Sequence, residues 1–504
     1  MNTIKGTAEA FRRFTDKETF ERILDDGDLC RMWQRCAEAY AGRTAVECAD
    51  EMRTFGELDR EIALMRGAIL ARGVRPGSRV LLLCANSIDF VRAFLAIVTA
   101  GCTAAVLPPH LDEKSVFGCL MMFGAGGVIV QDKLMDKCAL IKDKRPDVPV
   151  ICADETDAAA APIGQVTQDF PAVIMFTGGT TGKSKGAILS HAAVVQGVIN
   201  GCYGVREVFE QRYLLCLPLS HVFGLIRNLL TSLYTGSTLR ICQNNQDLFR
   251  DIAAFRPTVM VIVPALAEMA MTLSKKFKRN MLGDDLRTVI CGAAPVPQYL
   301  VEEYARLGIS LFPGYGLTES ANLVSGNPEP LKKPGSVGLP YPNQELRFVD
   351  GELWLRGRNM LTDYIGTEEK AWTDDGWFRT GDLAHADEDG YLYITGRIKE
   401  IIILDNAENI SPAELEARFN ALSFVQDSQV FEDTAGDGKR ILALEVVLRQ
   451  TELGGLGDDP RAAAMEQLWA VNRAQRPAEQ VARIVIRDQD FERSPSMKIV
   501  RYKK

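Results

Sequence analysis

The sequence predicts an α/β protein: a large N-terminal domain of layered α/β sheets plus a small β unit, followed by a smaller α+β C-terminal domain. Three observations predict this. Strand and helix signals alternate through Arg306, the chain between Ser336 and Gly396 turns rich in Gly, Trp and Tyr, and a fresh helix start follows at Ser411. In chain order, Leu58, Ile62, Met65 and Ile69 share one face of an amphipathic helix, which Gly73 and Pro76-Gly77 end. Arg79–Cys84 (RVLLLC) reads as a buried strand, Ser87–Ala100 as a helix, and a short apolar strand then runs up to Pro108-Pro109. The rhythm returns with a strand at Thr258–Val263, a helix from Ala265, a strand at Thr288–Cys291 and a helix at Gln298–Arg306. Such alternation argues for parallel sheets covered by helices on both faces. GELWLRG and GYLYITGR read as hairpins of the small β unit. Ile401–Leu404 is a strand signal, and Ser411-Pro412-Ala413-Glu414 reads as a capping box with proline at the first helical position. The expected boundary lies at Lys399–Glu400, giving domains 1–399 and 400–504. Thr451–Pro460 reads as a surface loop, and no internal repeat is present.

Composition narrows the function classes. The 504 residues are 47% apolar and 25% charged, which excludes a disordered tail, a fibre or a disulfide-stapled mini-protein. The net charge of −8 argues against a nucleic-acid partner, which calls for a positive footprint. Twelve cysteines run singly from Cys30 to Cys291 with no CxxC pair, the pattern of small buried hydrophobes in a reducing compartment. Of four histidines, His110, His191, His221 and His385, no two have the spacing of a helical zinc pair. The N-terminus is polar and mixed in charge, unlike a signal peptide. The longest apolar stretch, Ala93–Leu107, is interrupted by Thr99, Gly101 and Thr103 and is too short to span a bilayer. The expectation is a cytoplasmic protein without an integral membrane segment.

The most informative segment is VIMFTGGTTGKSKGAILSH, residues 173–191. A buried strand runs into six small residues, Thr177, Gly178, Gly179, Thr180, Thr181 and Gly182, then two lysines and a helix pattern capped near Ser190. A loop of that kind offers backbone N–H groups and hydroxyls without side-chain bulk. It can wrap polyphosphate oxygens, with Lys183 and Lys185 adding positive charge. The plainer reading is a flexible surface turn. A Walker A loop fails on spacing, because the position that requires its first glycine is Thr177. A protein-kinase loop fails because no HRD or DFG set follows.

TGGTTGKSKG resembles the signature (S/T)(S/G)G(S/T)TGxPKG of the adenylate-forming superfamily, which includes acyl-CoA synthetases, peptide-synthetase adenylation domains and luciferases. Further matches follow in family order: LPLSH (217–221), GYGLTES (314–320), GEL (351–353), RTGD (379–382), GRIKE (396–400), ENISPAELE (408–416) and SPSMKIVR (494–501). The resemblance implies joining of a carboxylate to the α-phosphate of ATP with release of pyrophosphate, then transfer of the acyl group to a thiol. It implies that Thr177–Lys185 wraps the β- and γ-phosphates, that Glu319 holds Mg²⁺, and that Thr318 contacts the α-phosphate. Tyr315 is placed against adenine, with Gly314 and Gly316 leaving room for the backbone. Gly292, Ala293 and Ala294 are implied along the adenine and pocket wall, Asp382 on the ribose hydroxyls, and Arg397 on ribose or phosphate. Lys498 is the implied adenylation catalyst, carried by a mobile C-terminal domain and set between the attacking oxygen and the α-phosphate. Its loss is expected to lower the rate on the order of 10²–10³-fold.

His221 matches a gate between the ATP site and the acyl pocket, and Val222, Phe223 and Gly224 form the start of that pocket. No aspartate that could pair an amino group lies in this stretch, which implies a fatty or aryl carboxylate. Glu400 sits at the implied hinge and Ala407 at the implied thiol tunnel. The family commonly has glycine at Ala407 and at Met497, and proline at Ser184. Ser274–Arg279 (SKKFKR) reads as a solvated helix end, the alternative being a landing site for the nucleotide phosphates of CoA. The leading expectation is an ATP- and Mg²⁺-dependent ligase with a small carboxylic acid and CoA as substrates. Two alternatives are an enzyme that loads the phosphopantetheine of an acyl carrier protein, and a degenerate nucleotide- or acyl-binding protein without turnover.

Overall fold

The structure is a computed structural model that describes residues 3–177, 185–368, 370–403, 409–435, 440–493 and 499–501. Two large sheets build the bulk of the α/β fold. One has seven strands, with Pro171–Thr177, Thr103–Val106, Arg79–Leu83, Gly127–Val130 and Val150–Cys152 running parallel. Lys185–Ser190 and then Asp363–Ile365 add antiparallel at its edge. The other sheet has nine strands around a parallel centre of Ser310–Tyr315, Thr288–Cys291, Val259–Ile262, Arg212–Leu215, Thr238–Ile241 and Thr44–Cys48.

The helices between these sheets are buried around their whole circumference. All ten residues of His191–Asn200 are buried, and in Ile88–Thr99 only Asp89 escapes. A helix that is apolar all round must be covered on both sides. Val80, Leu82 and Val106 of one sheet share a single hydrophobic cluster with Leu214, Val259 and Val289 of the other. The outer face of the seven-stranded sheet packs under the helix Glu113–Phe123 through Leu81, Val128, Leu120 and Phe123.

Helix starts follow the local chemistry. Thr54 and Glu57 form a reciprocal capping box that opens Phe55–Ala71. The Ser87 and Ser190 hydroxyls accept from the backbone N–H of Phe90 and Ala193, capping Ile88–Thr99 and His191–Asn200. The helix Gln298–Arg306 and the strand Thr288–Cys291 fall where the periodicity places them.

The small β unit is a five-stranded antiparallel sheet in the order Ile4–Lys5, Gln344–Val349, Glu352–Gly357, Phe378–Ala386, Leu392–Arg397. Beyond it, Val425–Thr434, Arg440–Leu448 and Arg483–Arg487 form a three-stranded sheet. Together with the helices Pro412–Asn420 and Pro460–Arg473, that sheet encloses a separate core of Leu415, Phe419, Val430, Leu444 and Leu468. This core is tied to the larger body by charges. The Arg449 guanidinium pairs with Glu268 at 2.7 Å and lies over the Tyr299 ring at 4.2 Å, and Lys275 reaches Glu452 at 2.8 Å.

Three expectations change. The chain after the glycine–threonine loop is a strand, Lys185–Ser190, before it becomes a helix. The loop therefore joins two antiparallel strands rather than a strand and a helix N-terminus. Ser411 makes no capping bond, because its hydroxyl donates to the Thr395 carbonyl at 2.7 Å. Within Thr451–Pro460, residues through Gly455 belong to the helical turn Gln450–Gly455. Lys275, in the basic SKKFKR run, is committed to Glu303 and Glu452.

Candidate active site

A cavity of about 1300 Å³ opens at the carboxyl ends of the parallel strands, the place where open α/β sheets bind ligands. At one end, Thr177 closes its strand and Lys185 opens the next, both buried and in register across the hairpin. The Thr177 hydroxyl has no partner among the described residues. The Lys185 ammonium sits 3.5 Å from the centre of the Tyr364 ring, and the Tyr364 hydroxyl donates to Glu319 Oε1 at 2.8 Å. Lys185, Tyr364 and Glu319 thus form a polar chain along the wall. Glu319 is fixed from behind, because its carbonyl accepts from Leu361 N–H at 2.7 Å.

The turn that carries Glu319 ends in two left-handed non-glycine residues, Ala321 (φ 44°) and Asn322 (φ 108°), and Ala293 (φ 67°) lies on the same wall. Residues held in such conformations store about 1–3 kcal/mol each and cluster at functional sites. The Asn322 Nδ2 is buried without a partner among the described residues. Gly316 is required by packing, since a Cβ there would stand 1.7 Å from the Asn322 carbonyl oxygen. A Cβ on Gly314 would meet Leu323 at 3.1 Å and Ser325 O at 3.2 Å.

A second polar group organises the RTGD turn. Asp382 is 2% exposed and faces Arg397 across paired strands. Its Oδ1 accepts from Arg397 Nε at 2.6 Å and its Oδ2 from the Tyr315 hydroxyl at 2.5 Å. Burial, reinforced by the Asp382 charge, pushes the Tyr315 phenol well above its ordinary value, so it remains a donor. Burial opposes the Arg397 charge, but Asp382 outweighs it and holds the guanidinium above its ordinary value. Glu352 anchors the turn from below, accepting from Arg379 Nη2 at 2.9 Å, Gly381 N–H at 3.0 Å and Trp354 Nε1 at 2.9 Å.

The same cavity is also lined by the apolar Val222, Phe223, Val263 and Leu323, by His221 and Gly224, and by the neutral Asn86, Gln243, Asn244 and Gln246. His221 and Val222 lead into an eight-residue π-helix, Phe223–Leu230, a rare form that is frequent at functional sites. A Cβ on Gly224 would stand 2.3 Å from the Pro218 carbonyl oxygen, and Phe223 Cζ lies 3.5 Å from where a Gly292 Cβ would be. Among the described residues, Glu319 and Glu352 are the only carboxylates on the wall, and they are engaged with Tyr364 and with the RTGD turn.

The structure thus brings Thr177, Lys185, His221, Val222, Phe223, Gly224, Ala293, Gly316, Thr318, Glu319 and Arg397 onto one wall. Tyr315 and Asp382 touch that wall through Arg397, while Gly292, Ala294 and Gly314 do not line it. Glu400 lies one residue beyond the wall residue Lys399 and pairs with Arg501 at 3.1 Å. Gly178, Gly179, Thr180, Thr181, Gly182, Ala407 and Lys498 lie outside the described residues. Sequence reasoning missed Tyr364, Asn322, Glu352 and the lip Lys370–Thr373. The GEL match pointed toward Glu352, whereas the others stand in no motif that was read.

A family model for AMP-binding enzymes matches residues 33–365. The 4-coumarate–CoA ligase-like 3 protein of Oryza sativa subsp. japonica is 31% identical over 414 residues, covering 71% of this chain and 69% of that protein. A feruloyl-CoA synthase of Amycolatopsis sp. is 31% identical over 393 residues, covering 74% and 79%. Among solved structures, an anthranilate CoA ligase in complex with anthranoyl-AMP superposes with a TM-score of 0.82 at 20% identity, covering 94% and 95%. An o-succinylbenzoate coenzyme A synthetase of Bacillus subtilis, in complex with ATP and magnesium, gives 0.76 at 25% identity, covering 93% and 98%.

Proposed function

The chain belongs to the AMP-binding enzyme family and is an AMP-forming acid–thiol ligase, and on that premise we propose how its own residues carry the reaction. ATP lies with its triphosphate at the Thr177–Lys185 end and its ribose on Asp382. The acid enters the apolar end past His221. One carboxylate oxygen attacks the α-phosphorus, the bond to the bridging oxygen breaks, and pyrophosphate leaves. A thiolate of CoA then attacks the acyl carbonyl and AMP leaves. Both first-step reactants are anions, so the step calls for fixed positive charge and a fixed approach. Lys185 and Arg397 supply charge from the wall, Thr318 contacts the α-phosphate, and Lys498 is the proposed mobile cation.

The observation that carries the reading is the division of one cavity into two chemistries. One set of residues forms the Lys185–Tyr364–Glu319 chain and the Tyr315–Asp382–Arg397 cluster, whereas the other described wall residues, His221–Gly224, Val263 and Leu323 with the neutral Asn86, Gln243, Asn244 and Gln246 among them, include no carboxylate besides Glu319 and Glu352. An ammonium-bearing acid would be left unpaired there, so the proposed substrate is a fatty or aryl acid without an amino group.

Glu319 fits magnesium: it is a hard oxygen donor on the wall, and its Oε2 makes no hydrogen bond or ion pair among the described residues. The ion, when bound, would neutralise phosphate charge. We place the domain boundary at residues 399 and 400, a division supported by the separate core beyond Ile410. No helix among the described residues is long and apolar enough to cross a membrane. A cytoplasmic location is supported by twelve cysteines that are all free thiols.

The test is ATP–pyrophosphate exchange across a panel of carboxylic acids, followed by AMP release and CoA consumption with the acids that respond. Exchange that depends on an acid lacking an amino group, with CoA consumed, is expected. If no acid supports exchange, the reading is wrong.

A further inference from the structure

We propose that Lys370 is an additional polyphosphate-binding residue, supplying an ammonium group to the β- and γ-phosphates of ATP and to the pyrophosphate that departs. The inference rests on the ligase reading above and concerns a residue in none of the motifs that support it.

Position is the first argument. Asp363–Ile365 pairs antiparallel with Lys185–Ser190, and Ile365 faces Gly186. Continuing in that direction carries the chain past Lys185, toward the end of the cavity where the glycine–threonine loop begins. The segment is pinned on both sides of Lys370. Gly366 turns the chain at φ 83°, over the Met122 sulfur. On the other side Ala371 is buried, and the Trp372 indole N–H donates to the Thr362 carbonyl at 3.0 Å while its ring packs edge-on against Phe378 at 6.2 Å. Lys370 therefore stands on a built lip, and it lines the cavity.

Charge is the second argument. The neighbouring cations on the wall are already engaged: Lys185 with the Tyr364 ring, Arg379 with Glu352, Arg397 with Asp382. Lys370 has no carboxylate, ring or hydrogen-bond partner among the described residues. An ammonium group at the rim of a cavity, unpaired before substrate arrives, loses no existing ion pair when a phosphate oxygen binds to it. A freely solvated lysine would do as well on an open surface, but this one is held where the triphosphate ends.

The experiment compares Lys370→Ala and Lys370→Arg with the wild type in acid-dependent ATP–pyrophosphate exchange, and separately in thioester formation from chemically prepared acyl-AMP. The alanine variant is expected to raise KM for ATP and weaken pyrophosphate inhibition, each roughly tenfold. The KM values for acid and CoA should stay unchanged, the arginine variant should recover most of the loss, and thioester formation from acyl-AMP should match wild type. An unchanged KM for ATP in the alanine variant, or a loss seen in the CoA step instead, overturns the assignment. Failure of the wild type itself to exchange pyrophosphate overturns the ligase reading and is a separate result.

Discussion

Replacing Asp382 by asparagine keeps the shape of the side chain and removes its charge. Asp382 is 2% exposed, with one oxygen held by Arg397 at 2.6 Å and the other by the Tyr315 hydroxyl at 2.5 Å. A carboxylate has about four acceptor sites, so each oxygen can still accept from a ribose hydroxyl. Hydrogen bonds to a charged group are worth about 1.5–3 kcal/mol each. Asparagine keeps one acceptor oxygen and turns the other into a donor, so D382N loses about one such bond to ribose. That is roughly a 10–10²-fold fall in kcat/KM for ATP. D382A loses both, roughly 10²–10⁴-fold. Both variants also leave the Tyr315 hydroxyl or the Arg397 guanidinium poorly paired, at a stability cost of about 1–3 kcal/mol. A thermal melt separates this from the effect on nucleotide. The assay is acid-dependent pyrophosphate exchange at varied ATP, with KM for the acid as the internal control. A D382N protein that melts normally and keeps KM and kcat for ATP refutes the assignment of this carboxylate to ribose.

Other parts of the structure make independent predictions. His191 is fully buried, its Nδ1 accepts from Leu29 N–H at 3.3 Å, and its Nε2 has no partner among the described residues. Burial lowers its pKa from 6.5 to about 4. Between those values the unfolded chain binds a proton that the folded chain does not. The stability this group contributes is therefore complete above pH 6.5 and falls as pH drops, by about 3 kcal/mol near pH 4. Urea unfolding across that window should show the slope, and H191N should flatten it; an unaltered slope in a folded variant assigns the acid sensitivity elsewhere. G316A places a methyl against the Asn322 carbonyl and should cost about 3 kcal/mol as well as activity; a wild-type melting temperature would contradict the packing argument. Burial pushes the Cys36, Cys202 and Cys216 thiols up to about 12. The folded protein should react slowly with a disulfide reagent, and denaturant should release all twelve cysteines. Rapid reaction of several thiols without denaturant would show that those sites open.

Legibility in the sequence followed the range of the physics. The helices Phe55–Ala71 and Gln298–Arg306 were readable because an apolar face and a turn signal lie within one short window. The strand Lys185–Ser190 was not, since its six residues stand against a helix whose cap, Ser190, is the stronger local signal. Ser411 looked like a cap because the local pattern cannot reveal that Thr395 would take its hydroxyl. In the site, Lys185, Glu319, Asp382 and Arg397 were legible as parts of motifs. Tyr364 was not, because its importance comes from touching Lys185 and Glu319, which the chain brings together only after folding. Glu352 stands in the short GEL match, but the three donors that converge on it come together only after folding.

The edge strand Asp363–Ile365 bears on how the protein is made. During synthesis the strand Lys185–Ser190 emerges long before the segment that covers it. Until residue 365 leaves the ribosome, that strand presents an open row of backbone groups, a template on which other chains can add. The nucleotide end is therefore completed late in translation. A fragment cut just short of residue 363 should aggregate, whereas one that retains Ile365 keeps the Gly186–Ile188 stretch paired.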